Sequence, residues 1–505
     1  MGANLPEPAA VAGTRRAFAA LCLLTAALVV AGVYRRALGY PFIQDDWSYL
    51  SALTHLDDAT NLARDFDPVG RLHYRPLGTV AFIPLYRAFG LDPVPAHLLN
   101  LLLLAGAALL VAALARRLGA DRFTAWAVMT VYAAAVSIHL DPVLWLVGFF
   151  DLAGAVCFCG CVLLFLRGNT GLSLGVFGAG LLCKEFLVVL PTLLALTALL
   201  SDGPLPGALR AALRRLWPHV VLMAAFLAMR ALTGLSPFGL PDDHPYRMKV
   251  LGLHLLENAG RYAWWGAEAL TPFRDLRPAV GILLAAFLAA AFLWLKRVEA
   301  RSAPAAWRRP AFLAGWVALA LAPVMLLPNH CYRYYLVYGL PAAALLLVEC
   351  LRGLLRAAGA GPRFQKAALA AYLFLLAATG ALWFARKDAA GLRDPYLPGT
   401  NHLVHRAAAV RAVQGYLAAA RPRVAPGTVF VIGGADLESF DRDWMFRVLC
   451  RDITVRAVGA DQVRFDAEGA FVPGGEAGHV RLDPARSIRL EVLDDHRARR
   501  LPFPP

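Results

Sequence analysis

The chain has 505 residues, 59% of them hydrophobic and 17% charged, with a mean hydropathy of +0.55. An ordinary soluble domain is roughly half apolar and about a quarter charged, so this composition excludes a large soluble enzyme and a disordered chain. The excess of 50 Lys+Arg over 35 Asp+Glu, formally +15, would point to nucleic acid in a soluble protein. In a polytopic membrane protein it belongs on cytoplasmic loops near anionic lipid, and nucleic-acid binding is set aside.

A membrane-spanning helix needs about 20 mainly apolar residues. In chain order such runs fall at 17–34, 95–115, 122–138, 148–166, 171–183, 186–200, 216–232, 279–295, 311–327, 334–351 and 367–385, eleven in all. The first follows Arg15 and Arg16 and is read as a retained span, since no small-residue cleavage site precedes the next polar block. The two runs flanking Lys184 are short for full crossings. With a cytoplasmic N-terminus, alternation puts the dense basic loops inside: Arg116, Arg117 and Arg122; Arg167; Arg210, Arg214 and Arg215; Lys296 to Arg309; Arg352 to Lys366. Three larger segments then lie outside, 35–94, 233–278 and the tail from 386.

In the first outer segment, 76–89 reads as a short apolar helix lying at the interface. The second carries Arg261-Tyr262-Ala263-Trp264-Trp265, suited to the headgroup layer. The tail changes character, with helices at 402–420 and 441–450 and strands at 429–432, 453–458 and 487–492. The expected fold is a polytopic α-helical membrane protein of about 11 spans (1–385) with a small C-terminal α/β extracytoplasmic domain (386–505), joined near 388–399. Six of the eight cysteines, Cys22, Cys157, Cys159, Cys161, Cys183 and Cys350, sit in apolar runs as small fillers. Cys331 and Cys450 face the oxidising side without a pairing that can be inferred.

Five clusters stand out. Asp45-Asp46 follows the first span; one carboxylate is placed to accept a proton from a hydroxyl as general base, its neighbour to raise its pKa or help hold a metal. The alternative is a solvated turn or helix N-cap. Tyr74-Arg75-Pro76-Leu77 sets an arginine at a helix start, where a guanidinium grips phosphate or anchors to lipid. His139-Leu140-Asp141-Pro142, then Trp145, Gly148 and Asp151, puts acids at the outer ends of two spans; a turn before proline is the plain reading. Lys184-Glu185 lies between two short apolar halves, as an anion site or a neutralising pair. Arg333, amid Tyr332, Tyr334 and Tyr335, is a second phosphate cation or part of an interfacial aromatic belt.

In this order and spacing, the clusters resemble the GT-C superfamily of membrane glycosyltransferases. The likeness is greatest to the protein O-mannosyltransferase-like branch and the TPR-containing transmembrane O-mannosyltransferases. It rests on Asp45-Asp46, Tyr74-Arg75-Pro76-Leu77, His97-Leu98-Leu99-Asn100, Asp141, Trp145, Gly148, Asp151, Lys184-Glu185 and Arg333-Tyr334, and covers about residues 17–385. Phe149 or Phe150 replaces a basic residue common before the third-cluster aspartate, no TPR repeats follow, and the tail matches no motif of the family.

The resemblance implies a polyprenyl-phosphate sugar donor and inverting transfer to a hydroxyl of a protein, envelope glycan or lipid. Asp45, Asp46 and Asp141 would be catalytic, and Arg75, Lys184 and Arg333 would neutralise the departing lipid phosphate. Tyr74, His139, Asp151, Glu185 and Tyr334 would support them. A divalent cation remains open. The bacterial plasma membrane is the expected home. Two rivals are a lipid-linked sugar flippase, which would need internal symmetry that is not visible, and a non-enzymatic scaffold, which leaves Asp45-Asp46 and Lys184-Glu185 without a reason.

Overall fold

The computed structural model describes residues 9–502 except 72, 202–203, 234–236, 301–306, 394–402, 421–423, 467–468, 474–478 and 494–496. Most of the linker expected near 388–399 lies outside the described residues. Eighteen α-helices are described: α1 (Ala9–Tyr34), α2 (Asp46–His55), α3 (Asp58–Phe66), α4 (Pro76–Phe89), α5 (Val94–Arg117), α6 (Arg122–Ala134), α7 (Val136–Leu144), α8 (Phe149–Leu166), α9 (Thr170–Cys183), α10 (Leu190–Leu196), α11 (Leu205–Leu232), α12 (His254–Ala269), α13 (Pro278–Ala300), α14 (Arg308–Met325), α15 (Leu340–Ala357), α16 (Pro362–Ala390), α17 (Leu403–Ala420) and α18 (Trp444–Cys450). Starts follow local chemistry. The side chains of Asp57, Asp121 and Asn169 accept from backbone N–H groups of Thr60, Thr124 and Leu172, and Pro76 opens α4, where its missing N–H is harmless.

The eleven apolar runs do not become eleven membrane-length helices. Among the described residues six are long and apolar enough to cross, within 14–39, 94–117, 146–166, 205–239, 278–297 and 362–393, and α6 with α7 makes a seventh if their 55° bend is one broken span. The runs at 171–183 and 186–200 are a 14-residue helix and a 16-residue string of 3₁₀ and α turns, Glu185–Leu200, each short for a separate crossing. The extended backbone of Lys184 (φ −151°, ψ 120°) separates them. The runs at 311–327 and 334–351 do form helices, α14 and α15, but basic residues occupy the start of one and the end of the other.

The core lies around α8, which packs between α5 and α9. Phe158, Phe165, Leu104, Val111 and Phe177 are all but inaccessible there. By contrast Leu283, Phe287 and Leu293 on α13, and Leu213, Trp217 and Val221 on α11, are exposed, as a lipid-facing surface would be.

Helix ends gather at two ends of the bundle. At one, Arg117 and Arg215 donate to the carbonyls of Leu166 and Phe165, Arg308 to that of Ser201, and Arg352 pairs with Asp121. All belong to the loops predicted to be inside. The three outer segments meet at the other end.

The tail holds a mixed four-stranded sheet, order β2-β1-β6-β7, with β1 (Val429–Gly433), β2 (Arg456–Gly459), β6 (Ser487–Val492) and β7 (Ala498–Leu501). β1 runs parallel to β2 and β6, with Val431 opposite Val458 and Arg489; β6 runs antiparallel to β7. A second, antiparallel sheet joins β3 (Arg464–Asp466), β4 (Gly469–Pro473) and β5 (His479–Arg481). α17 and α18 fall on the expected helices. β3, β4, β5 and β7 had no counterpart in the sequence reading.

Candidate active site

Asp45 and Asp46 begin α2 after a backbone turn that Gln44 makes in the left-handed region (φ 50°). For a residue with a Cβ that conformation is unfavourable by about 1–2 kcal/mol, so neighbours must hold it. Gln44 N donates to the Ser439 carbonyl of the tail at 3.1 Å. Asp46 is fully buried and accepts from Ile43 N at 3.0 Å and from Val147 N at 3.1 Å. Its carboxylate therefore clamps the first outer loop to the α7–α8 turn.

Asp45 differs. Its carboxylate makes no hydrogen bond among the described residues, and the residue is exposed. Surrounding protein desolvates it, Asp441 repels its negative charge, and Arg75 and Arg406 only partly compensate, so its pKa is raised to about 6. Asp441, on the tail, accepts from Ser48 N at 3.1 Å, one turn along α2.

The predicted cations each arrive with a carboxylate. Arg75 donates through Nε at 2.8 Å and Nη2 at 2.5 Å to Glu185, over the Phe150 ring. Lys184 Nζ lies 2.9 Å from Asp151, with the rings of Tyr334 and Tyr335 at 5.9 and 5.7 Å. Neighbours in sequence, Lys184 and Glu185 are thus partners of other residues, and no Lys184–Glu185 ion pair forms. Arg333 is bonded at 2.7 Å to fully buried Glu268 and lies over Trp264 and Trp265. Arg75, Lys184, Glu185 and Asp151 form one charged cluster. Arg333 belongs to a second, with Glu268 and Arg274, whose field reaches Asp141 together with that of Arg406. Both carboxylate oxygens of Asp141 and Nε of Arg333 are buried without a hydrogen-bond partner among the described residues.

Other motif residues hold the frame. His139 Nε2 lies 2.9 Å from the Tyr132 carbonyl, and Tyr74 donates to the Phe66 carbonyl at 3.2 Å. The His97 ring nitrogens lie 3.0 and 3.1 Å from the carbonyls of Tyr40 and Val143. Asn100 donates to those of Pro142 and Trp145, so His97 and Asn100 tie α5 to the last turn of α7, the helix that carries Asp141. A Cβ on Gly148 would collide with the Pro142 backbone; only glycine lets this turn close.

Sequence reasoning missed His73, Tyr246, Glu268, His330, Arg406 and Asp441. Tyr246 is sandwiched between His73 and His330, with ring centroids 4.3 Å from each. Burial, with Lys184, His73 and Arg75 nearby, holds the His330 pKa down at about 3. Glu268 carried a usable signal, an acid in the aromatic helix Tyr262–Ala269.

A cavity of about 410 Å³ lies between α2, α3 and the tail, lined by Ser48, Tyr49, Arg71, His73, Arg75 and Trp444 among others; Asp45, one turn before Ser48, is not in its lining. Among the described residues no group of three or more His, Cys, Asp or Glu is arranged to hold a metal ion. The acids here fall short of a ligand set, and no step is assigned to a metal. All eight cysteines are free thiols.

No family model matches the chain. It is 28% identical to protein O-mannosyl-transferase Tmtc1 of Drosophila melanogaster over 52% of its own length and 36% of the relative's. With Tmtc2 of the same organism the identity is 33% over 32% and 20%. The matched part thus spans about a third or less of these curated relatives. Among solved structures, the oligosaccharyltransferase of Archaeoglobus fulgidus in its apo form gives a TM-score of 0.43 at 12% identity, covering 87% of this chain and 64% of that one. The same organism's AglB, in complex with an inhibitory peptide and a dolichol-phosphate, gives 0.44 at 12%, with the same coverage. Over about half of its length the chain is similar to protein O-mannosyl-transferases.

Proposed function

We propose that the chain is a membrane glycosyltransferase that moves a hexose from a polyprenyl-phosphate-linked donor to a hydroxyl acceptor, with inversion, on the extracytoplasmic face of a bacterial plasma membrane. The observation that carries this is Asp45: a carboxylate without a hydrogen-bond partner among the described residues, within the field of Arg75 and one turn before Ser48 and Tyr49, which line the cavity between α2, α3 and the tail. At about 410 Å³ the cavity falls within the usual range of ligand pockets.

Asp45 takes the proton of the acceptor hydroxyl. The oxygen attacks the anomeric carbon from the face opposite the lipid phosphate. The bond from that carbon to the phosphate oxygen breaks, and the electron pair leaves with the phosphate. Arg75, Lys184 and Arg333 are the cations for this charge. Their carboxylate partners consume only part of their donors: a guanidinium has five N–H groups and an ammonium three. Being paired beforehand, they need little reorganisation when phosphate charge develops. The N-terminus is placed in the cytoplasm and the tail outside, supported by the segregation of the basic loops at one end of the bundle and Asp45, Arg75 and Arg333 at the other. The acceptor hydroxyl belongs to a protein or to an envelope glycan or lipid, entering under Trp444 and Ile453 of the tail.

The test is a donor screen. Purified protein is given polyprenyl-phosphate mannose, glucose, galactose or arabinose with serine/threonine peptides and envelope lipids, and release of lipid phosphate is followed. One donor should be turned over by the wild type and not by Asp45→Asn. Turnover of none, or equal turnover by the variant, overturns the reading in favour of a flippase or a scaffold.

A further inference from the structure

At the end of the bundle opposite Asp45 lies a second cavity, of about 420 Å³, lined by Arg15, Phe18, Ala113, Arg116, Arg117, Arg122 and Arg167. Five of its seven lining residues are arginines, and none is an aspartate or glutamate. They come from four helix ends: α1, the last turn of α5, the first residue of α6 and the residue after α8. Three of these side chains donate to neutral acceptors. Arg116 donates to the Ala120 carbonyl at 2.5 Å, Arg117 to the Leu166 carbonyl at 2.6 Å, and Arg122 to the Thr14 hydroxyl at 3.1 Å. The nearby acid Asp121 is engaged by Arg352. All five arginines are exposed.

Basic residues on one side of a membrane protein satisfy a topological rule when scattered over loops. That rule does not require guanidinium groups from four helices to share one recess, where like charges repel. Convergence of this kind is compensated by an anion, and guanidinium forks match phosphate oxygens. Beyond Phe18, α1 continues with Leu21, Leu24 and Leu28, which are 50%, 59% and 63% exposed. Apolar surface thus adjoins the basic recess along the bundle axis, the profile of a phosphate headgroup with acyl chains behind it.

We propose that this arginine cavity binds the phosphodiester headgroup of an anionic phospholipid, phosphatidylglycerol or its relatives, independently of the sugar-transfer site. The shared chemistry is a phosphate oxyanion, and a soluble phosphate is the other source. Native mass spectrometry of the full chain in detergent micelles, supplied with equal phosphatidylglycerol and phosphatidylcholine, should show phosphatidylglycerol retained by about tenfold or more. R116Q/R117Q/R167Q should lose that preference while keeping the wild-type melting transition. Equal retention of the two lipids by the wild type overturns the proposal without need of the variant. So does an unchanged preference in a folded variant. If the triple variant fails to fold, R167Q alone, made at an exposed position outside any helix, should lower the preference, and no change there overturns it. Displacement of the lipid by millimolar inorganic phosphate assigns the cavity to a soluble anion and overturns the lipid assignment.

Discussion

At the end of the bundle that carries Asp45, the cations Arg75, Lys184 and Arg333 are held by Glu185, Asp151 and Glu268 at 2.5, 2.9 and 2.7 Å. At the other end, Arg116, Arg117 and Arg215 donate to backbone carbonyls. Two of the carboxylate-held pairs are nearly inaccessible, with side-chain exposures of 6% and 5% for Lys184 and Asp151 and 5% and 0% for Arg333 and Glu268. Burial forces compensation, because an unpaired charge away from water is expensive. Exposed guanidinium groups keep part of their water and can take a mobile anion as counter-charge instead of a fixed carboxylate. Buried positive charge held by fixed carboxylates is thereby distinguished from exposed positive charge that donates to backbone carbonyls.

The largest effect that would break this contrast is at Asp45. Asp45→Asn should lower turnover by about 10²–10⁴-fold with an unchanged thermal transition, read by lipid-phosphate release. Lys184→Met strands buried Asp151 and should destabilise by about 3–5 kcal/mol, measured by thermal unfolding in detergent. K184M/D151L should regain most of that loss; a double variant as unstable as the single would show that packing, not charge, was lost. A smaller effect concerns pH. Asp45 acts as base only when ionised, so activity should rise with pH through about 6. Removing the Asp441 charge with Asp441→Asn should move that acidic limb to lower pH, since its repulsion raises the Asp45 pKa. A limb that stays in place denies Asp441 that influence. The smallest effect is at the basic end. Asp121 both caps α6, accepting from Thr124 N at 2.7 Å, and pairs with Arg352. Asp121→Ala should cost about 1 kcal/mol through the cap. Asp121→Asn, which keeps the cap, should change the melting transition by less than half as much, because an exposed ion pair is worth little.

The sequence was legible where one property repeats over many residues. The apolar runs of α1, α5, α8, α13 and α16 are long enough to name themselves, as is the strand 487–492. It was not legible where structure depends on distant partners. Arg75 and Glu185 lie 110 positions apart, and Arg333 and Glu268 65 apart; nothing local to Lys184-Glu185 says that each turns to a different neighbour. Counting runs does not give the helices, because a run can be broken, as the extended backbone of Lys184 breaks 171–200, or bent, as between α6 and α7. The three-residue strands β3 and β5 are too short for any alternation to show.

One bond spans nearly the whole chain. Ser48 N is held by Asp441, 393 positions later. At about 5–20 residues per second of synthesis, roughly 20–80 s separate the emergence of the first acid pair from that of the residue that steadies its helix. Until then the nascent protein sits in the bilayer with its first loop untethered, and only a finished polypeptide presents Asp45 in its final setting.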